Sequence, residues 1–117
     1  MKKNYNDLLN EYIQNSLNNG EETLKYNFKK AERYLEKNLK IIKSIKNTDF
    51  FEKFLKDVME QGNVYAKNSA AIHALRNNLL KEKALNILKN DANLQEKEYR
   101  FIAFNSKVFL KDIYPNL

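Results

Sequence analysis

A chain of 117 residues with 43% hydrophobic and 31% charged side chains is long enough for one packed core and too apolar for disorder. The absence of cysteine excludes a disulfide framework and thiolate metal sites, and it fits a reducing compartment. A formal net charge of +6 points toward acidic or polyanionic partners. No apolar run approaches the roughly eighteen residues needed to cross a membrane, and Met1 to Asp7 leads into no apolar signal segment, so a cytoplasmic protein without a membrane role is expected.

The periodicity predicts six helices. Tyr5, Leu8, Leu9, Tyr12, Ile13 and Leu17 recur at helical spacing, and Asn18, Asn19 and Gly20 are expected to close this first helix with residues that tolerate the left-handed conformation. Leu24, Phe28, Ala31, Leu35, Leu39 and Ile42 then form one stripe, widened by Tyr34, Ile41 and Ile45. It predicts a second helix of about twenty-five residues, the longest of the six. Asp49, with Glu52 three residues on, has the form of a capping box for a third helix that buries Phe50, Phe51, Phe54, Leu55, Val58 and Met59.

Gly62 is read as the stop of the third helix and Asn63 as the cap of the fourth. Small residues concentrate only there: Ala66, Ala70 and Ala74 repeat at i, i+4 and i+8 beside Ser69 and Ala71, making a ridge low enough for close helix approach. After Asn77 and Asn78, Leu80, Ala84, Leu85, Ile87 and Leu88 define a fifth helix, with a loop expected from Asn90 to Asn93. In the sixth, Tyr99, Ile102, Ala103, Ser106, Phe109, Leu110 and Ile113 share one face, while Phe101, Phe104 and Val108 lie on a second. Burial on two sides is expected, with Pro115 as the end. No period-two run supports a strand. The fold class is therefore all-α, one domain spanning 1–117, with helices stacked as antiparallel hairpins.

The run Asn63 to Leu75, followed after a short turn by Lys83 to Leu88, resembles the inner helix of a HEAT-type (armadillo-like) repeat leading into the next outer helix. Lys67 stands where the family usually has arginine, Ala70 and Ala71 are its paired alanines, and Leu75 is its leucine. Small bacterial HEAT-like proteins of about this length are the nearest likeness. The resemblance implies an α-α superhelix whose inner helices offer a curved binding surface.

Chemistry-bearing groups are sparse. His73, the single histidine, has no second ligand at i+3 or i+4, so neither a metal nor another cofactor is expected. Glu96 and Glu98 read as helix-start charges rather than an acid-base pair, and the Phe and Tyr side chains read as core rather than stacking platforms. No small-molecule substrate is evident and no enzyme is expected. The leading expectation is a non-catalytic protein-binding module, in its sharper form an immunity or antitoxin-like protein that covers a toxin. Its partner would meet exposed residues of the fourth and sixth helices: Tyr65, Asn68, His73, Arg76, Asn77 and Arg100. The alternative is a module riding nucleic-acid backbone through a stripe on the second helix, Lys25, Lys29, Arg33 and Lys40. Glu22, Glu32 and Glu36 interrupt that stripe as a solvated face would.

Overall fold

Turn and capping residues divide the chain into six α-helices in the structure, a computed structural model that describes residues 3–114. They are α1 (Tyr5–Leu24), α2 (Phe28–Ile45), α3 (Phe51–Gln61), α4 (Val64–Arg76), α5 (Lys81–Ala92) and α6 (Arg100–Ile113), with a 3-10 turn at Lys97–Tyr99 leading into α6. No strand occurs among the described residues, so the all-α class holds. None of these helices is long and apolar enough to cross a membrane. Pro115 lies outside the described residues.

Several boundaries differ from the sequence reading, each for a tertiary reason. α1 runs through Asn18–Gly20 to Leu24, which makes it longer than α2. Asn19 donates Nδ2 to the Ala31 carbonyl at 2.7 Å, tying this turn to α2, and Gly20 is buried beneath the Tyr65 ring, where a side chain has no room. The capping box at Asp49 does not form. Phe50 occupies the N-cap of α3 without a side-chain bond, and Thr48 instead donates Oγ1 to the Ile45 carbonyl at 2.6 Å. Asn63 does cap α4, accepting from the Ala66 amide at 2.9 Å. Helix α5 continues through Asp91 and Ala92, both buried, where a loop was expected.

Helix α4 is the centre of the packing, touched by α1, α3, α5 and α6. Ala66, Ala70, Ala71 and Ala74 are all fully buried, so the ridge serves the close approach its small side chains allow. Tyr12, Phe54, Leu55, Val58 and Leu88 fill the space around it, Tyr12 meeting Phe54 edge to face at 5.7 Å.

Polar cross-links accompany this core. Asn15 donates to Asn38 Oδ1 (3.0 Å), and Asn38 Nδ2 reaches both Ser16 Oγ (3.0 Å) and the Tyr12 carbonyl (3.1 Å), joining α1 to α2. The Tyr12 hydroxyl pairs with Ser69 Oγ at 2.6 Å across α1 and α4. Asn68 Nδ2 donates to Asp91 Oδ2 and Ser106 Oγ, both at 2.8 Å, binding α4, α5 and α6 together. No buried side-chain polar atom among the described residues lacks a partner, so these bonds offset the desolvation that would otherwise disfavour them. They also turn α2: its buried face runs through Ala31, Asn38, Ile41, Ile42 and Ile45, leaving Phe28, Leu35 and Leu39 of the expected stripe exposed.

Candidate functional site

A groove of about 370 Å³ opens where α2 and α6 flank α4. Its apolar walls are Leu35 and Leu39 of α2, Ile72 of α4 and Ile102 of α6, with Ser16 and Asn19 of α1 contributing to the floor. Of the α4 residues that face it, Tyr65, Ser69, Ile72 and Arg76 lie on the side away from the alanine ridge, and His73 borders the ridge. No carboxylate lines the groove, and one end carries Arg76, half of a cation-π contact with Phe109 at 5.6 Å. Burial, with the charges of Arg76 and Lys46 close by, holds His73 down to about 4, so its imidazole is neutral at pH 7.

The expected partner residues thus separate into three groups. Tyr65, His73 and Arg76 line the groove together, Arg76 exposed and the other two half-buried. Tyr65 is also structural, covering Gly20, meeting Tyr99 at 5.6 Å and donating its hydroxyl to the Glu98 carbonyl at 2.8 Å. Asn68 reaches the groove lining but is only 4% exposed, and its amide is committed to Asp91 and Ser106. The expectation that it is an exposed contact is corrected: its polar side chain is needed inside, opposite a buried carboxylate. Asn77 sits outside the groove as the C-cap of α4, donating Nδ2 to the His73 carbonyl at 2.7 Å. Arg100 is also outside it, at the foot of α6, bonded to the Lys97 carbonyl at 2.8 Å.

The basic stripe is shorter than the sequence suggested. Lys25 is the C-cap of α1 and lies 4.0 Å from Glu22, so it does not belong to α2 at all. Lys29, Arg33 and Lys40 do share the exposed face of α2, and none forms an ion pair among the described residues. Glu22 is the acid that engages, with Lys30 at 3.6 Å. Glu32 and Glu36 pair with nothing among those residues.

Two features escaped the sequence reading. Asn15, Asn38 and Asp91 gave no pattern, because a buried asparagine or aspartate looks like a surface one until its partner on another helix is known; Ser106 did fall on the buried face of α6, as its spacing predicts. Exposed aromatic side chains are the other: Tyr26 is 63% exposed, Phe28 58% and Phe104 64%, which reverses the assignment of these rings to the core. Helix α6 is therefore buried on one side, through Ala103 and Ser106, and its Phe104–Val108 face is open. Among the described residues no three His, Asp or Glu side chains gather closely enough to hold a metal ion. No protein-family model matches this sequence, and neither a curated protein nor a solved structure matches it.

Proposed function

We propose that the chain is a non-catalytic protein-binding module whose groove between α2, α4 and α6 receives an apolar segment of a partner protein, and that it acts as an immunity or antitoxin-like protein by covering that partner's surface. The observation that carries this reading is the groove's composition: exposed Leu35 and Leu39, at 46% and 45%, face half-buried Ile72 and Ile102, with Arg76 and Tyr65 at hand. Apolar walls with an arginine and a tyrosine are what helix-in-groove recognition uses. Arg76 at one end, with no carboxylate in the lining, favours a partner segment carrying an acidic residue there.

Catalysis finds less support. Ser69 and His73 are one turn apart in the groove, but Ser69 Oγ is paired with the Tyr12 hydroxyl, and His73 has no carboxylate to orient it. The proposal includes a HEAT-like stacking, in which the hairpins α1–α2, α3–α4 and α5–α6 would place α2, α4 and α6 on the inner side. That these three helices supply the groove's apolar walls supports it. A cytoplasmic setting is part of the same proposal, in keeping with the lack of cysteine.

The test is co-purification of the native partner with the chain, followed by titration calorimetry with Leu39→Ser and Arg76→Glu. Both positions are exposed, so folding should survive. Each substitution should weaken the complex by at least about tenfold, an ordinary hot-spot effect. If the partner is a toxin, co-expression should relieve its growth arrest and the double variant should not. A complex at full affinity with both substitutions would displace the site from the groove.

A further inference from the structure

We propose that the dish formed at the α1–α2 turn is a binding site for single-stranded nucleic acid, separate from the groove. The dish is lined by Tyr26, Phe28, Lys29, Lys30 and Arg33.

Its central residue stands in an unusual conformation. Tyr26 has φ 62°, the left-handed region that glycine or asparagine would occupy without strain at a helix end. A bulky ring here is ordinarily repaid by burial, yet Tyr26 and Phe28 are among the most exposed apolar side chains of the protein. They meet edge to face at 5.9 Å and leave ring faces open to solvent. From the far end of the chain Arg100 reaches within 3.4 Å of the Tyr26 hydroxyl while its guanidinium lies 4.8 Å over the Phe101 ring. That bridge continues the aromatic surface from the turn onto α6, toward exposed Phe104.

The charged groups that line the dish are all cationic, with the exposed Glu32 outside the lining. Glu22, the nearest engaged acid, is already taken up by Lys30, Lys25 and the Asn27 amide, while Lys29, Arg33 and Arg100 form no ion pair among the described residues. Open ring faces beside unpaired ammonium and guanidinium groups match a base with its phosphate: the rings stack and the cations take the backbone. A duplex hides its base faces, so the strand must be single. An acidic peptide would satisfy the cations and leave the rings uncovered, and an anionic membrane would call for rings on a protruding apex rather than in a dish. Lys40 has no part in it, lying about 16 Å along the helix from Lys29 at about 1.5 Å per residue.

Fluorescence anisotropy with a labelled oligonucleotide of about twelve uridines or thymidines, from about 50 to about 200 mM salt, tests this. The intact protein should bind the single strand at least about tenfold more tightly than a duplex of equal length. Tyr26→Gly removes the ring where the backbone favours glycine; it should keep or raise the melting temperature yet weaken binding about tenfold or more. The double variant Lys29→Gln, Arg33→Gln should instead flatten the log-log salt slope by about 1.4, as two lost phosphate contacts require. Equal affinity for duplex, unchanged binding by Tyr26→Gly, stronger binding to phosphatidylserine vesicles than to the oligonucleotide, or no binding at about 50 mM salt would each overturn the proposal.

Discussion

Gly20 shows how one residue's role depends on a neighbour far away in sequence. Glycine inside an exposed helix costs about 1 kcal/mol relative to alanine, so by helix propensity Gly20→Ala should stabilise α1. A methyl there, however, overlaps the Tyr65 ring, coming within 2.7 Å of its Cγ, and that ring is held by Tyr99 and by the Glu98 carbonyl. Overpacking of this kind costs about 1–3 kcal/mol, so the clash should win. Gly20→Ala is expected to lower stability in the parent and to raise it in a Tyr65→Ala background, a reversal that urea denaturation of the four proteins would detect. The same sign in both backgrounds would disprove the clash.

His73 supplies a pH dependence. Its pKa is held down to about 4 in the fold against 6.5 ordinarily, so between those values the unfolded chain binds a proton that the folded chain refuses. The stabilising share is therefore nearly complete above pH 6.5 and is lost as pH falls toward 4, about 3 kcal/mol in all. Denaturation at about pH 7 and about pH 5 should show more than half of that loss, and His73→Gln should flatten it. Asp91, whose pKa burial raises, works in the opposite direction, so the comparison with His73→Gln is what isolates the histidine.

At the scale of the element, α4 and α6 stand at opposite extremes. Every alanine of the α4 ridge is fully buried, so Ala71→Asp would bring an unpaired charge into a helix contact and should destabilise the protein by more than about 3 kcal/mol. Phe104 on α6 is 64% exposed, and Phe104→Ser should change stability by less than about 0.5 kcal/mol. Thermal melts followed by circular dichroism compare the two directly. An Ala71→Asp protein that melts like the parent would undo the account of the ridge, and a large loss at Phe104 would mean that the ring is covered in solution.

For the whole molecule, the +6 charge bears on encounter more than on the fold. The groove end at Arg76 shares the sign of the net charge, so steering and docking act together on a partner with an acidic surface. Association measured by stopped flow should slow by about tenfold or more between about 50 and about 200 mM salt, with dissociation changing much less. An association rate indifferent to salt would remove the acidic partner segment from the proposal while leaving the apolar groove in place.

Local chemistry made part of this protein legible beforehand. Helical periodicity was enough for the number of helices and the all-α class, and small-residue spacing was enough for the α4 ridge. The same periodicity put Tyr65 and Arg76 on the face opposite the ridge, because side-chain direction on a helix follows from position alone. What the tertiary structure decided were the matters that depend on a second element. Asn18, Asn19 and Gly20 would end an isolated helix, but α1 continues because Ala31 takes the Asn19 amide and Tyr65 requires the glycine. Leu35 and Leu39 have the spacing of core residues, yet they line the groove, since α2 buries the side that carries Ile41, Ile42 and Ile45 together with Asn38, whose amide bonds to Ser16 and Tyr12. Asn68 and Tyr26 exchanged the places that polarity assigns them, the amide going inside to meet Asp91 and the ring staying outside at a left-handed turn. Burial is a property of pairs of surfaces, and a single strand of letters carries only one surface of each pair.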